Sequence, residues 1–231
     1  FFVGNVDMDE LKTLCEQYIA TLPGDAATAS KAPVVDGSLG VKKGEKVTTF
    51  TAPMQTPQTF AAVVEFAEIP YTAKDRALSD IAGQVLTERL LKKVREDMGA
   101  VYSIWASGVM SRQNVPNTIL QSVFPMKPEM KEQVLDIIAS EFKNMESDVT
   151  AQELAKAVEF KVKEATEAKE KNDAWLGTMA GTALNGVDVF NGNVELLQSL
   201  TPADVQDFMK RMNADGTYRV IILDPEAAPA E

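Results

Sequence analysis

Between Leu78 and Val94 the apolar residues Leu78, Ile81, Ala82, Val85, Leu86, Leu90 and Val94 recur at the spacing of one helix face. A stripe this broad and long cannot remain in water. It must lie on a layer of comparable extent, so the rest of the chain has to supply a sheet or further helices to cover it. Thr72 and Asp75 give this helix a capping-box start, and Gly99 ends it.

The flanking segments supply that layer. Val41 to Ala52, Phe60 to Ile69, Val101 to Met110, Thr118 to Met126 and Tyr218 to Leu223 read as strands, and a polar turn around Arg112-Gln113-Asn114 joins the third and fourth. Phe1 to Val6 reads as a short buried strand. Asp7 and Glu10 then open a helix carrying Leu11, Leu14, Tyr18, Ile19 and Leu22, stopped by Pro23-Gly24. Residues 25–40 are expected to be a loop and residues 226–231 a flexible tail.

Four more helical stretches follow the fourth strand of that set. Pro128 opens one with Met130, Val134, Ile137, Ile138 and Phe142. Thr150 and Glu153 cap another, with Leu154, Val158, Val162 and Ala165 on one face. Asn172 to Gly192 reads as a helix with a loop, and Thr201-Pro202-Ala203-Asp204 is a capped helix start. Strand pairs mixed with long helices predict an α+β fold: one mixed, mainly antiparallel sheet with helices packed on one face, and a single domain over residues 1–231.

Charge and residue absences narrow the chemistry. Acidic residues number 34 against 23 basic ones, a net charge of −11, which repels phosphate backbones and predicts no nucleic-acid partner. There is no histidine, and Cys15 is the one cysteine. That excludes an ordinary zinc site, a Ser-His-Asp triad and a Cys-His pair within this chain. No apolar stretch approaches the roughly 20 residues of a membrane helix, so no membrane insertion is expected. The opening Phe1-Phe2-Val3 lacks a methionine and reads as a cut from a longer protein.

Each candidate site residue also has an ordinary role. The glycines form neither a Walker nor a dinucleotide fingerprint. The interleaved Lys and Glu residues of Lys161 to Lys171 suit a solvated helix face. Of Trp105, Met110 and Trp175, Trp105 on a strand with Val101 and Val109 is expected in the core, whereas Trp175, in a polar segment, is the interface candidate. In Leu90 to Tyr102 a helix ends in Arg95, turns at Gly99, and gives way to a strand bearing Tyr102. By themselves these are a helix-dipole partner and an edge tyrosine.

These residues, with others along nearly the whole chain, resemble the pitrilysin/insulinase family of zinc metallopeptidases, which includes the mitochondrial processing peptidases. The likeness rests on Phe2-Val3-Gly4-Asn5-Val6-Asp7 with Leu11, Tyr18, Leu22 and Pro23, on Ile81 to Arg95 followed by Glu96, Gly99, Ala100 and Tyr102, and on Leu200-Thr201-Pro202-Ala203-Asp204-Val205. The spacing from Arg95 to Tyr102 is its most specific element. The resemblance implies a C-terminal, non-zinc-binding domain that helps enclose a peptide chamber, with no cofactor of its own. Zinc would sit in the N-terminal half of the same polypeptide, and the substrate would be an unstructured peptide. Arg95 would bind a substrate backbone carbonyl, and Tyr102 would hydrogen-bond the scissile carbonyl as it becomes an oxyanion. This fragment alone would be inactive. The alternative is an inactive family member serving as a structural or peptide-binding subunit.

Overall fold

The layering follows from two periods, two along the strands and 3.6 along the helices. The computed structural model describes residues 1–24, 36–214 and 216–226, and these hold five strands and seven α-helices. In chain order they are α1 (Met8–Tyr18), β1 (Lys46–Ala52), β2 (Thr59–Ala67), α2 (Ala73–Leu90), β3 (Ala106–Met110), β4 (Thr118–Met126), α3 (Lys131–Asn144), α4 (Ala151–Ala168), α5 (Asn172–Asn185), α6 (Asn193–Ser199), α7 (Pro202–Asn213) and β5 (Thr217–Pro225). The strands form one sheet in the order β1-β5-β2-β4-β3, antiparallel except for the parallel β1–β5 pair. This is the expected α+β class.

Alternation divides the sheet into two unlike faces. Ala61, Val63, Glu65 and Ala67 of β2 lie in register with Leu120, Ser122 and Phe124 of β4 and with Val220 and Ile222 of β5, and all are buried. The apolar members join one core with Leu78, Ile81, Ala82, Val85, Leu86 and Leu90 of α2 and Val205, Phe208 and Met209 of α7. Gly83 of α2 meets Gly108 of β3 so closely that a Cβ on Gly83 would stand 2.7 Å from the Gly108 nitrogen. Glycine here lets helix and strand approach. On the opposite face Phe50, Phe60, Val109, Val123 and Ile221 remain exposed.

Local signals explain the helix starts. Thr150 and Thr201 form reciprocal capping boxes with Glu153 and Asp204, and Thr72 caps α2 through the Asp75 amide. Two ion pairs, Arg211–Asp75 at 2.6 Å and Lys74–Asp204 at 2.6 Å, tie the start of α2 to α7.

Several expectations need correction. Phe1 to Val6 form no strand: Phe1 and Phe2 are exposed, and among the described residues no strand runs beside them to complete a ladder. The helix after Asp7 exists, but none of its residues is buried. The first long strand begins at Lys46 rather than Val41, and the third begins at Ala106 rather than Val101, since only from Ala106 does it pair with Ser122. Pro128 opens a 3₁₀ turn, with α3 starting at Lys131. Helix α6 falls where no helix was expected: Gly192, at φ +69°, precedes it without a side-chain cap. Most of the 25–40 loop (25–35) and the tail residues 227–231 lie outside the described residues. Within 36–40, Ser38 bridges to Val115.

Candidate functional site

Helix α2 does not stop at Leu90. The chain continues as a π-helical turn, Leu91–Asp97, which carries Arg95. Wider turns of this kind shift the side chains beyond them around the helix axis and are frequent at functional sites. Leu90 and Val94 keep this turn anchored in the core. It closes through Gly99 at φ +60°, with the Gly99 amide donating to the Arg95 carbonyl (3.1 Å) and the Ala100 amide to the Val94 carbonyl (3.0 Å). The left-handed conformation at Gly99 reverses the chain without a Cβ penalty.

Beyond the glycine, buried Val101 and Ile104 pin a short irregular segment, and Tyr102 between them projects into solvent at 88 % exposure. Arg95 is exposed as well. Among the described residues neither side chain has a hydrogen-bond or ion-pair partner. Tyr102 lines a groove of about 370 Å³ together with Pro57, Gln58, Gly99, Pro125 and Lys127. The neighbouring open face of the sheet is apolar. Trp105 lies just before β3 and is half exposed, correcting the expectation that it belongs to the core, and Val109 is exposed too. Ala106 is the residue that turns inward, so its neighbour Trp105 takes the outer side.

Trp175, the other aromatic candidate, packs edge-to-face on Phe190 with ring centroids 4.7 Å apart and donates its indole N–H to the Lys169 carbonyl (2.8 Å). The structure uses it within the chain. The charged end of α4 is a solvated face, with pairs Lys161–Glu164 and Lys163–Glu167.

Three buried charged residues were not singled out from the sequence: Arg89, its partner Glu141, and Glu65. Arg89 of α2, 8 % exposed, uses every donor of its guanidinium. Nε and Nη2 donate to Glu153 (2.7 and 3.1 Å), and Nη1 donates to Asp148 (2.8 Å) and Glu141 (3.2 Å). Nη2 also reaches the Asp148 carbonyl (3.3 Å). Burial alone would lower its pKa, but the hydrogen bonds to Glu153 and Asp148 outweigh that and hold it charged. Its place on the apolar stripe, four residues after Val85 and three after Leu86, marked it as inward-facing. Glu65 is the third: 4 % exposed, with no hydrogen-bond partner for Oε2 and a pKa pushed up to about 8, chiefly by burial and then by Glu146, with Lys143 opposing. The alternation Ala61-Val63-Glu65-Ala67 carried that signal.

Among the described residues no cluster of three or more His, Cys, Asp and Glu is placed to hold a metal, and no helix is long and apolar enough to cross a membrane. The model of one family, described as the peptidase M16 inactive domain, matches residues 1–160, more than half of the chain. The chain belongs to the peptidase M16 inactive-domain family. Comparison with curated protein sequences gives no match. Solved structures with the same fold include a peptidase M16 inactive domain from Pseudomonas fluorescens, with TM-score 0.73, 18% identity, and 99% of this chain aligned to 54% of that one. The periplasmic protease PqqL from Escherichia coli gives TM-score 0.73 and 16% identity, over 96% of this chain and 25% of that one. A protease from Helicobacter pylori gives TM-score 0.75 and 14% identity, over 96% of this chain and 54% of that one. The M16 inactive domain described here therefore spans between a quarter and about half of the length of these structures.

Proposed function

We propose that this M16 inactive domain is one domain of a larger zinc metalloendopeptidase, where it helps enclose a peptide chamber and presents Arg95 and Tyr102 to the substrate backbone. Its partner is the N-terminal half of the same polypeptide, which carries the zinc motif. The observation that supports this reading most directly is Tyr102: an unpartnered phenol held out at the mouth of a groove, beside an apolar open sheet face, in a chain of the M16 family. A phenol O–H donates to a carbonyl oxygen, and the bond strengthens as that oxygen gains negative charge. The Arg95 guanidinium offers charge-assisted donors to an adjacent peptide carbonyl. Zinc held by the other half would supply the Lewis acid and the activated water. With no histidine and no metal-competent cluster among its described residues, this chain supplies substrate contacts instead. Closure of the two halves would bring both sets of groups together.

Peptidase activity on unstructured peptides tests this, comparing the chain, the N-terminal half, and their mixture with zinc. Activity in the mixture alone is the expected result. In the intact parent, Tyr102→Phe is expected to lower turnover by about 10²-fold, the scale of one lost oxyanion donor. Silence of all three samples and of the intact parent would replace this reading with that of a structural or peptide-binding subunit.

A further inference from the structure

A second recess lies on the helix-covered side of the sheet and is independent of the Arg95–Tyr102 reading. It is a cavity of about 200 Å³ between β2, β5 and the C-terminal ends of α3 and α7, lined by Glu45, Glu65, Phe142, Lys143, Asn213 and Tyr218 among others. Glu65 and Tyr218 are cross-strand partners, and the Phe142 and Tyr218 rings meet edge-to-face at 5.8 Å. Two buried acceptor atoms belonging to these lining residues have no protein partner, Glu65 Oε2 and Asn213 Oδ1. The Asn213 amide nitrogen is already committed to the Phe142 carbonyl (3.1 Å) and Glu146 (2.6 Å), which fixes Oδ1 as the free end. A buried acceptor without a donor is costly, and two lining one recess define what they lack: a group rich in N–H donors.

Charge and shape narrow the group further. Glu45 and Glu65 line the recess and Glu146 stands close enough to act on Glu65, whereas Lys143, the one cation lining it among the described residues, is exposed and donates to both Glu146 oxygens (2.8 and 2.9 Å). The surplus is negative. Aromatic walls favour an organic cation through their π faces. A divalent metal would need three or more ligating groups, and the described residues hold no such cluster. We propose that this cavity binds an alkylammonium or guanidinium head group, with Glu65 and Asn213 accepting its N–H bonds against the Phe142 and Tyr218 rings. The head group belongs either to a free amine or to a Lys or Arg side chain of a bound peptide.

The groups facing Glu65 predict how binding responds to pH. They are Glu45 before β1, Tyr218 on β5, and Lys143 and Glu146 at the end of α3, beside the neutral Asn213 of α7. Burial raises Glu65 to about 8, so it is largely protonated at pH 6 and ionised at pH 9. An organic cation should therefore bind at least tenfold more tightly at pH 9 than at pH 6.

The test is an NMR titration of the 231-residue chain with n-butylammonium chloride, N-methylguanidinium chloride and a short lysine-containing peptide, against sodium chloride at equal ionic strength. Saturable shifts at Phe142, Asn213 and Tyr218 are expected from at least one organic cation and not from sodium. They should weaken about tenfold in Glu65→Gln, whose fold is checked by circular dichroism, and should strengthen with pH in the unaltered chain. A peptide that binds tighter than n-butylammonium identifies a side chain as the source, and equal affinity identifies a free amine. No saturable shift, or shifts that sodium reproduces, would mean that water alone fills the cavity and would overturn the proposal. So would binding indifferent to both Glu65→Gln and pH.

Discussion

Arg89 and Arg95 stand six residues apart on one continuous helical run, and their surroundings are opposite. Arg89 is enclosed by Glu141, Asp148 and Glu153, so that a single guanidinium ties α2 to α3, to the following loop and to the capping box of α4. Arg95 lies past the point where the α-helix widens into the π-helical turn, is exposed, and has no partner among the described residues. The same side chain is architecture in one place and an unengaged donor in the other. Residue type did not decide this. Position on the apolar stripe did, because the stripe carries Arg89 inward and the wider turn leaves Arg95 facing solvent.

The largest effect should come from removing the enclosed arginine. Arg89→Ala leaves the carboxylate of Glu141, 2 % exposed, with Lys93 and Asn144 as its polar partners among the described residues, and should cost about 3–5 kcal/mol, as breaking a buried ion pair does. Urea unfolding measures it, and a loss below about 1 kcal/mol would place Arg89 with ordinary surface ion pairs.

The next largest effect concerns a carboxyl group that is enclosed but unpaired. The folded-state pKa of Glu65 is raised, from 4.5 to about 8. Between those values the folded chain retains a proton that the unfolded chain has released. Glu65 therefore contributes a stability that falls as pH rises through this window. Glu65→Leu should raise stability at pH 8 by about 1–3 kcal/mol, the scale of a buried group left without its hydrogen bond, and should flatten the decline. Unfolding curves at pH 5 and pH 8 for both chains test it. An unaltered slope would mean that Glu65 is already satisfied in the folded state.

How far the sequence could be read follows from the same contrast. The α2 stripe, the span of β4 and the capping residues Thr72, Thr150 and Thr201 were legible because each is a local pattern with a local cause. Phe1 to Val6 misled because an apolar run reads alike whether or not anything covers it. Trp105 misled because the start of β3 depends on where Ser122 lies, which is a tertiary fact. Helix α6 was invisible because its preceding glycine gives no capping signal. Within the candidate site, the Arg-Gly-Tyr spacing was legible. The π-helical widening and the exposure of Tyr102 depend on which neighbours stay anchored in the core, and no periodicity records that.

A smaller effect probes the far side of the Arg89 cluster. The Glu153 Oε2 that accepts from Arg89 Nη2 also accepts from the Thr150 amide (2.8 Å) and hydroxyl (2.8 Å). Thr150→Ala removes the cap of α4 and one of those anchors, and should cost about 1 kcal/mol. If cap and ion pair act as one unit, the Thr150→Ala and Arg89→Ala losses will fall short of adding in the double variant, whereas independent sites add within about 0.5 kcal/mol.

The smallest effect completes the contrast. Arg95→Ala and Tyr102→Phe remove groups that have no hydrogen-bond or ion-pair partner in the described chain, so each should leave the unfolding free energy within about 0.5 kcal/mol of the original. A loss above about 1 kcal/mol from either would show that its side chain supports the fold, and the contrast with Arg89 would fail at that position. Neutrality carries the converse weight. A donor that does nothing for folding, held out by buried Val101 and Ile104 on one side of Gly99 and by buried Val94 on the other, is fixed in place by residues that do fold the chain. Stability would then be indifferent to Tyr102 while its position stays set by the core, which is the arrangement a substrate-contacting group requires.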